Sequence, residues 1–212
     1  MTDKERFLQL VDSIEREGMD KPLLHRQLTE SDFFEAPAST KYHHSEEGGL
    51  CKHSLEVYDT LCKLNENMNL GFDSDSVKIV ALFHDFSKMN YYTTELKNKK
   101  EYSENGSKRD SNGRYDWVTY PGYAVRDASS RFMFGNHEQN AAYMTNTFIP
   151  LTIEEYSAIL HHHGGMAYDS TKEDVSEVFT RYPLALFLHL ADMTSAYGHT
   201  PVEVNVVEEE HE

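Results

Sequence analysis

The run Ala81-Leu82-Phe83-His84-Asp85-Phe86-Ser87-Lys88 constrains this chain more than any other stretch. Its apolar residues have to be buried, and they carry an adjacent imidazole and carboxylate into the interior with them. A buried charge must be paired or metal-bound, so the His84-Asp85 pair is expected to anchor a metal site. Val77, Val80, Ala81 and His84 share one face of a helix that Asp73 or Ser74 would cap, which turns His84 inward.

Further apolar stripes predict a helical body around this run. Phe7, Leu10, Val11 and Ile14 predict a helix over 3–17 stopped by Gly18, and one or two short helices are expected over 20–35, ended by Pro37. Gly48-Gly49 permits a tight turn or a close backbone approach before a helix over 50–67, whose stripe of Leu50, Val57, Leu61 and Leu64 also includes His53. Two inward imidazoles on successive helices call for a common explanation.

Between Asn90 and Asp127 the pattern changes. Tyr91-Tyr92-Thr93-Thr94 and Tyr115-Asp116-Trp117-Val118-Thr119-Tyr120 flank Asn-Gly breakers, which predicts an inserted β-hairpin over 90–127, turned back at Pro121-Gly122. Lys97, Lys99, Lys100, Lys108, Arg109 and Arg114 make its tip locally basic, a solvated surface or a region that gates a ligand or meets a partner. Helices then resume over 136–147, after Thr152 with the capping-box form Thr-Ile-Glu-Glu, over 172–182, and over 183–197 with Pro183 in the first turn. The second of these ends in His161-His162-His163-Gly164-Gly165. The last buries Leu184, Phe187, Leu188 and Ala191 and is interrupted by Asp192, a carboxylate that should be bound to something.

The expected fold is therefore mainly α, a helical bundle with an inserted β-hairpin, forming one domain over 1–200 with an acidic tail over 201–212. A length of 212 residues with 39% hydrophobic content suits one sizeable core. Charge narrows the partners: 36 Asp and Glu against 20 Lys and Arg give a net charge of −16, which would repel duplex DNA. A cation-filled pocket can still accept a small phosphate ester. Cys51 and Cys62 fall on one expected helix and offer no disulfide framework. With no apolar run of membrane-spanning length and an acidic start lacking signal-peptide character, a soluble cytoplasmic protein is expected, with oligomerisation open.

Collected together, His53, His84, Asp85 and Asp192 offer two imidazole nitrogens and two carboxylate oxygens from three different helices. Such mixed ligands suit Mn²⁺, Fe²⁺, Co²⁺, Ni²⁺ or Zn²⁺ and, less well, Mg²⁺. His137 and His162 add two imidazoles, enough for a second ion bridged to the first by Asp85.

These residues resemble the HD-domain superfamily of metal-dependent phosphohydrolases over about 31–197. The resemblance is carried by Tyr42-His43-His44, by Gly48-Gly49-Leu50-Cys51-Lys52-His53-Ser54-Leu55, by Ala81 to Lys88, and by His189-Leu190-Ala191-Asp192. The chain looks most like bacterial and phage HD hydrolases that carry a hairpin after the HD helix, and it is similar to the HD domain of certain bacterial 3′-to-5′ exoribonucleases. Where that subgroup has Phe-Gly-His-Gly-Glu, this chain has Phe134-Gly135-Asn136-His137-Glu138. A one-residue shift turns a helical side chain by about 100°, so His137 is the ligand least secured by the pattern. Matching Gly164 and Gly165 to a His-x-Gly-Gly segment of the same subgroup puts His162 at the ligand position, with His161 and His163 as neighbours or substrate contacts.

The resemblance implies hydrolysis of a nucleotide or other small phosphate ester by metal-activated water, with one or two divalent ions. Asp85 would orient that water or accept its proton, and Lys88 would contact phosphate or the leaving group, or simply pair with a carboxylate. His43 or His44 would donate to the phosphate or orient a ligand. Three other readings are a phosphodiesterase for a cyclic or short-oligonucleotide messenger, a di-iron HD oxygenase, and a non-catalytic ligand-binding module that keeps metal for stability.

Overall fold

The computed structural model describes residues 1–41, 43–133, 135–166 and 172–198. The acidic tail expected over 201–212 lies outside them, as do Tyr42 and Phe134 of the motifs above. The fold is mainly α with a small inserted sheet. Its helices are α1 (Asp3–Asp12), α2 (Lys21–Glu30), α3 (Gly49–Asn67), α4 (Ser74–Phe83), α5 (His137–Phe148), α6 (Ile153–Leu160), α7 (Lys172–Arg181) and α8 (Pro183–Tyr197).

Local chemistry sets most of these boundaries. Asp73 caps α4 by accepting from the backbone N–H groups of Asp75 and Ser76, and Thr152 and Glu155 form the expected capping box on α6. One boundary differs from expectation. Helix α1 ends at Asp12 and not at about Glu17, because the Ser13 N–H and hydroxyl both turn back onto carbonyl oxygens of the last turn. Ile14 lies beyond the helix yet stays fully buried.

Two apolar clusters hold the helices together. Phe7, Phe33, Phe83 and Phe86 form one, with ring centroids 5.0 to 5.9 Å apart. Val57, Leu61, Val80, Ala141, Ala158, Ile159, Leu184 and Leu188 form the other, joining α3, α4, α5, α6 and α8. Small residues such as Ala81, Ala142 and Ala191 let these helices approach closely. The ends of the same helices carry the polar residues described below.

The insertion is a three-stranded sheet of order β1-β3-β2, where β1 is Tyr92–Tyr102, β2 is Lys108–Asp110 and β3 is Gly113–Val125. Strands β1 and β3 pair antiparallel from Tyr92↔Val125 to Tyr102↔Tyr115. Pro121 and Gly122 do not turn the chain back, as their sequence suggested. They continue β3 opposite Leu96 and Glu95. Strand β2 pairs only with residues 113–115 of β3, so the other edge of β3 is open at Pro121, where a residue without an N–H is tolerated. At Gly122 the Lys97 side chain folds across the strand, and a Cβ there would meet its Cδ at 2.7 Å.

Candidate metal centre

Five helices deliver the predicted residues to one place. His53 comes from α3, His84 and Asp85 from the end of α4, His137 from the first turn of α5, His162 from just beyond α6, and Asp192 from α8. Neighbours on a continuous helix diverge by about 100°, so His84 and Asp85 would point apart. They do not, because α4 stops at Phe83: His84 is its C-cap, and Asp85, with φ −105° and ψ 17°, opens a single 3₁₀ turn over Phe86–Lys88.

His137 reaches the cluster despite its displaced position in sequence. Gly135 adopts φ +82°, Asn136 caps α5 through the Gln139 N–H, and His137 becomes the first helical residue. The left-handed turn absorbs the one-position displacement, and His137 Nε2 lies 3.1 Å from Asp85 Oδ1.

Asp85 is the centre of the arrangement. Its Oδ2 lies 3.6 Å from His84 Nε2 and 3.7 Å from His53 Nε2, while its Oδ1 faces His137 Nε2 and, at 3.7 Å, His162 Nε2. Asp192 Oδ1 completes the first side, 3.0 Å from His53 Nε2 and 3.8 Å from His84 Nε2. The imidazoles face one another across each side: the Nε2 atoms of His53 and His84 are 3.2 Å apart, and those of His137 and His162 are 3.3 Å apart. Among the described residues, two groups bring their donor atoms within 4.8 Å of one another: His53, His84 and Asp192, and His137, His162 and His163.

The second nitrogen of each ring decides what the first can do. Nδ1–H of His84 donates to the Ala81 carbonyl oxygen at 2.9 Å, and that of His162 to the Ile159 carbonyl oxygen at 2.7 Å. Ser87 gives its one proton to the His137 carbonyl oxygen, so its Oγ accepts from His137 Nδ1, 2.9 Å away. Ser195 likewise gives its proton to Glu56, so its Oγ accepts from His53 Nδ1 at 3.1 Å. In the neutral rings, all four Nε2 atoms therefore carry lone pairs, aimed at carboxylate oxygens and at each other. Lone pairs facing lone pairs repel unless a cation lies between them. Asp85 Oδ1 is buried with no hydrogen-bond partner, which is the same demand from the carboxylate side.

Electrostatics follow from burial and from Lys88. Burial lowers the pKa of His84 and of His137 to about 4 and also lowers that of His162, keeping these rings neutral. Burial opposes ionisation of Asp85, but the Lys88 ammonium, 2.6 Å from Oδ2, holds its carboxyl well below the usual range.

The remaining sequence candidates separate. The His43 ring lies 4.8 Å from that of His53, and its buried Nε2 has no hydrogen-bond partner. His44 is drawn to Glu56, with Nε2 2.8 Å from Oε2. His161 is the C-cap of α6, and the rings of this run that join the donor groups are those of His162 and His163. Lys88 does reach the cavity beside the centre, about 220 Å³ in volume and lined also by Ser87, Tyr91, Tyr92, Met133, Gly135, His137 and Asn140.

Several supporting residues escaped the sequence reading. Glu138, almost fully buried, accepts from His163 Nδ1 at 2.7 Å. Glu56 and Ser195 each lie three residues beyond a predicted ligand on the same helix, His53 and Asp192, and this i, i+3 spacing was the available signal.

The chain belongs to the HD domain family, which matches residues 50–197. HD domains bind divalent metal ions, and the family is generally one of metal-dependent phosphohydrolases. No curated protein and no solved structure matches the chain. No helix among the described residues is long and apolar enough to cross a membrane.

Proposed function

We propose that this protein is a metal-dependent phosphohydrolase that holds two divalent cations and acts on a small phosphate ester, a nucleotide in particular. One observation carries the reading: the two oxygens of Asp85 each face a pair of imidazole Nε2 atoms whose lone pairs are fixed by hydrogen bonds at Nδ1. His53, His84, Asp192 and Asp85 Oδ2 would hold one cation, and His137, His162 and Asp85 Oδ1 the other. The mixed nitrogen and oxygen donors suit Mn²⁺, Fe²⁺, Co²⁺, Ni²⁺ or Zn²⁺ ahead of Mg²⁺. Such ions lower the pKa of bound water toward neutrality and polarise phosphoryl oxygens.

The chain's own groups supply the rest. Lys88 spends one N–H on Asp85 Oδ2 and has two left for a phosphate oxygen at the cavity wall. His43, its ring 4.8 Å from that of His53, can offer its buried, unpartnered Nε2 to the phosphate. The cavity beside His137 takes the organic part of the ester, its volume of about 220 Å³ favouring one compact group. A likeness to hairpin-bearing bacterial and phage HD hydrolases fits the insertion of β1 to β3 between the HD pair and α5.

Metal analysis and a nucleotide panel test the reading together. Two cations per chain are expected, with release of inorganic phosphate that Asp85→Asn abolishes. Release of nucleoside monophosphate from cyclic or short oligonucleotides would redirect the assignment to a phosphodiesterase, and iron-dependent oxygen consumption to an oxygenase. A fully loaded protein that turns over none of these substrates would refute catalysis.

A further inference from the structure

Glu56 belongs to none of the donor groups, yet two hydrogen bonds tie it to the centre. Its Oε2 accepts from the Ser195 hydroxyl at 3.0 Å, and Ser195 Oγ in turn faces His53 Nδ1 at 3.1 Å. A carboxylate can only accept, so the Ser195 proton is committed to Glu56, and its oxygen can then only accept from His53. The direction of the whole chain follows: His53 Nδ1–H to Ser195, Ser195 O–H to Glu56. His53 is thereby held in the tautomer whose Nε2 presents a lone pair to Asp192 and Asp85.

The same oxygen, Glu56 Oε2, also accepts from His44 Nε2 at 2.8 Å. His44 sits in an unfavourable backbone conformation for a side-chain-bearing residue, φ +45°, and its carbonyl oxygen takes the Ala38 N–H at 2.9 Å. That carbonyl oxygen also lies so close to Gly49 that a Cβ there would meet it at 2.1 Å. The strained segment carries His43, whose ring rests on His53. One carboxylate oxygen therefore fixes both a ring of the centre and the loop laid over it.

We propose that Glu56 is a positioning residue for the first cation, acting through Ser195 to set the tautomer of His53 and through His44 to seat the loop that presents His43. This rests on the two-cation reading above, and neither Glu56 nor Ser195 touches the cation or the substrate in it. Hydrogen-bond partners that orient a ligating imidazole typically contribute 10- to 100-fold to metal affinity. The effect should be confined to the side that contains His53, since His137 and His162 have their own Nδ1 partners.

Calorimetric titration of Mn²⁺ into the metal-free full chain tests this with Glu56→Leu, which removes the acceptor, and Ser195→Ala. Both variants should bind about 10- to 100-fold more weakly at one of two sites, with the other unchanged. In nitrogen-15 NMR of the metal-free protein, His53 should show protonated Nδ1 in the wild type and a mixture of tautomers in both variants. Inorganic phosphate should bind more weakly to loaded Glu56→Leu than to loaded Ser195→Ala, because only the former releases His44 from this bond. Wild-type affinity at both sites, or equal loss at both, overturns the positioning role, and equal phosphate binding in the two variants overturns the loop part. A wild type that binds no Mn²⁺ would instead refute the two-cation reading, and the NMR signals would still report whether Glu56 sets His53.

Discussion

Ser87 gives its hydroxyl proton to the carbonyl oxygen of His137, 2.9 Å away, and the same Oγ lies 2.9 Å from Nδ1 of that residue's ring. A serine on the 3₁₀ turn after Asp85 thus holds both the backbone and the side chain of the first residue of α5. Ser87→Ala should leave the α5 N-terminus capped by Asn136 but free the His137 ring to turn. Cation affinity on the His137 side is expected to fall about 10- to 100-fold, with the His53 side unaffected. Calorimetry that separates the two sites measures both numbers. Unchanged binding would show that Asp85 alone fixes His137.

Lys88, whose side chain is 14% exposed, pairs with the buried Asp85 at 2.6 Å, and its partial burial, which would discharge the lysine, is outweighed by Asp85, which keeps its pKa above the ordinary 10.5. Lys88→Met removes the one ammonium at the cavity wall while preserving its bulk. Under the proposed function, turnover should fall about 100-fold, the usual consequence of losing one charged donor in a dry site, while both cations remain bound. Steady-state kinetics alongside metal analysis checks this. Loss of metal together with activity would recast Lys88 as a support for Asp85 only.

Much of the fold and centre was legible because burial imposes periodicity. His53 and Asp192 interrupt apolar stripes, and both prove to be buried, at 0% and 7% exposure, against the same neighbours. The Thr152 capping box was equally local and equally readable. His137 was harder, because a one-residue offset matters only if the helix is already under way; the positive φ of Gly135 and the cap at Asn136 start it later. Ser87 and the Glu138–His163 pair depend on which helix lies opposite, a tertiary property that no run of consecutive residues encodes, and Glu56 and Ser195 showed only their i, i+3 spacing from His53 and Asp192. Pro121-Gly122 misled for a related reason: whether a proline ends a strand depends on which edge of that strand is open.

Arg16 and Glu155 join the segment after α1 to the first turn of α6 far from the centre, through guanidinium contacts of 2.5 and 2.9 Å. Glu155 is 1% exposed and also accepts from Ser76 Oγ and the Thr152 N–H. Burial opposes its charge, but Arg16, Ser76 and Thr152 together lower its pKa from the ordinary 4.5. A carboxyl with a depressed folded-state pKa contributes stability that is present above 4.5 and lost as pH falls through its lower folded value. Arg16→Ala should therefore cost about 3 kcal/mol at neutral pH by stranding a buried carboxylate. The difference from wild type should shrink on acidification below the ordinary carboxylate range. Urea unfolding across pH measures it, and a pH-independent difference would locate the loss in packing instead.

The inserted sheet contributes little to either apolar cluster: Tyr92 alone in β1 is buried, while Leu96 is 77% and Trp117 51% exposed. Its base is nonetheless fixed next to the centre, because the Tyr92 hydroxyl donates to the Ala38 carbonyl oxygen at 3.2 Å and Tyr91 and Tyr92 line the cavity beside Lys88. Replacing residues 98–119 with a two-residue Asn-Gly turn should keep this base paired through Tyr92↔Val125 to Lys97↔Tyr120. The shortened chain is expected to retain its helical circular dichroism and both cations, since no donor group lies in the deleted segment. Kinetics then assign the basic tip. Unchanged KM for a mononucleotide with a raised KM for an oligonucleotide would give the tip a role in holding extended substrates, whereas loss of cation binding would show that the sheet supports the centre itself.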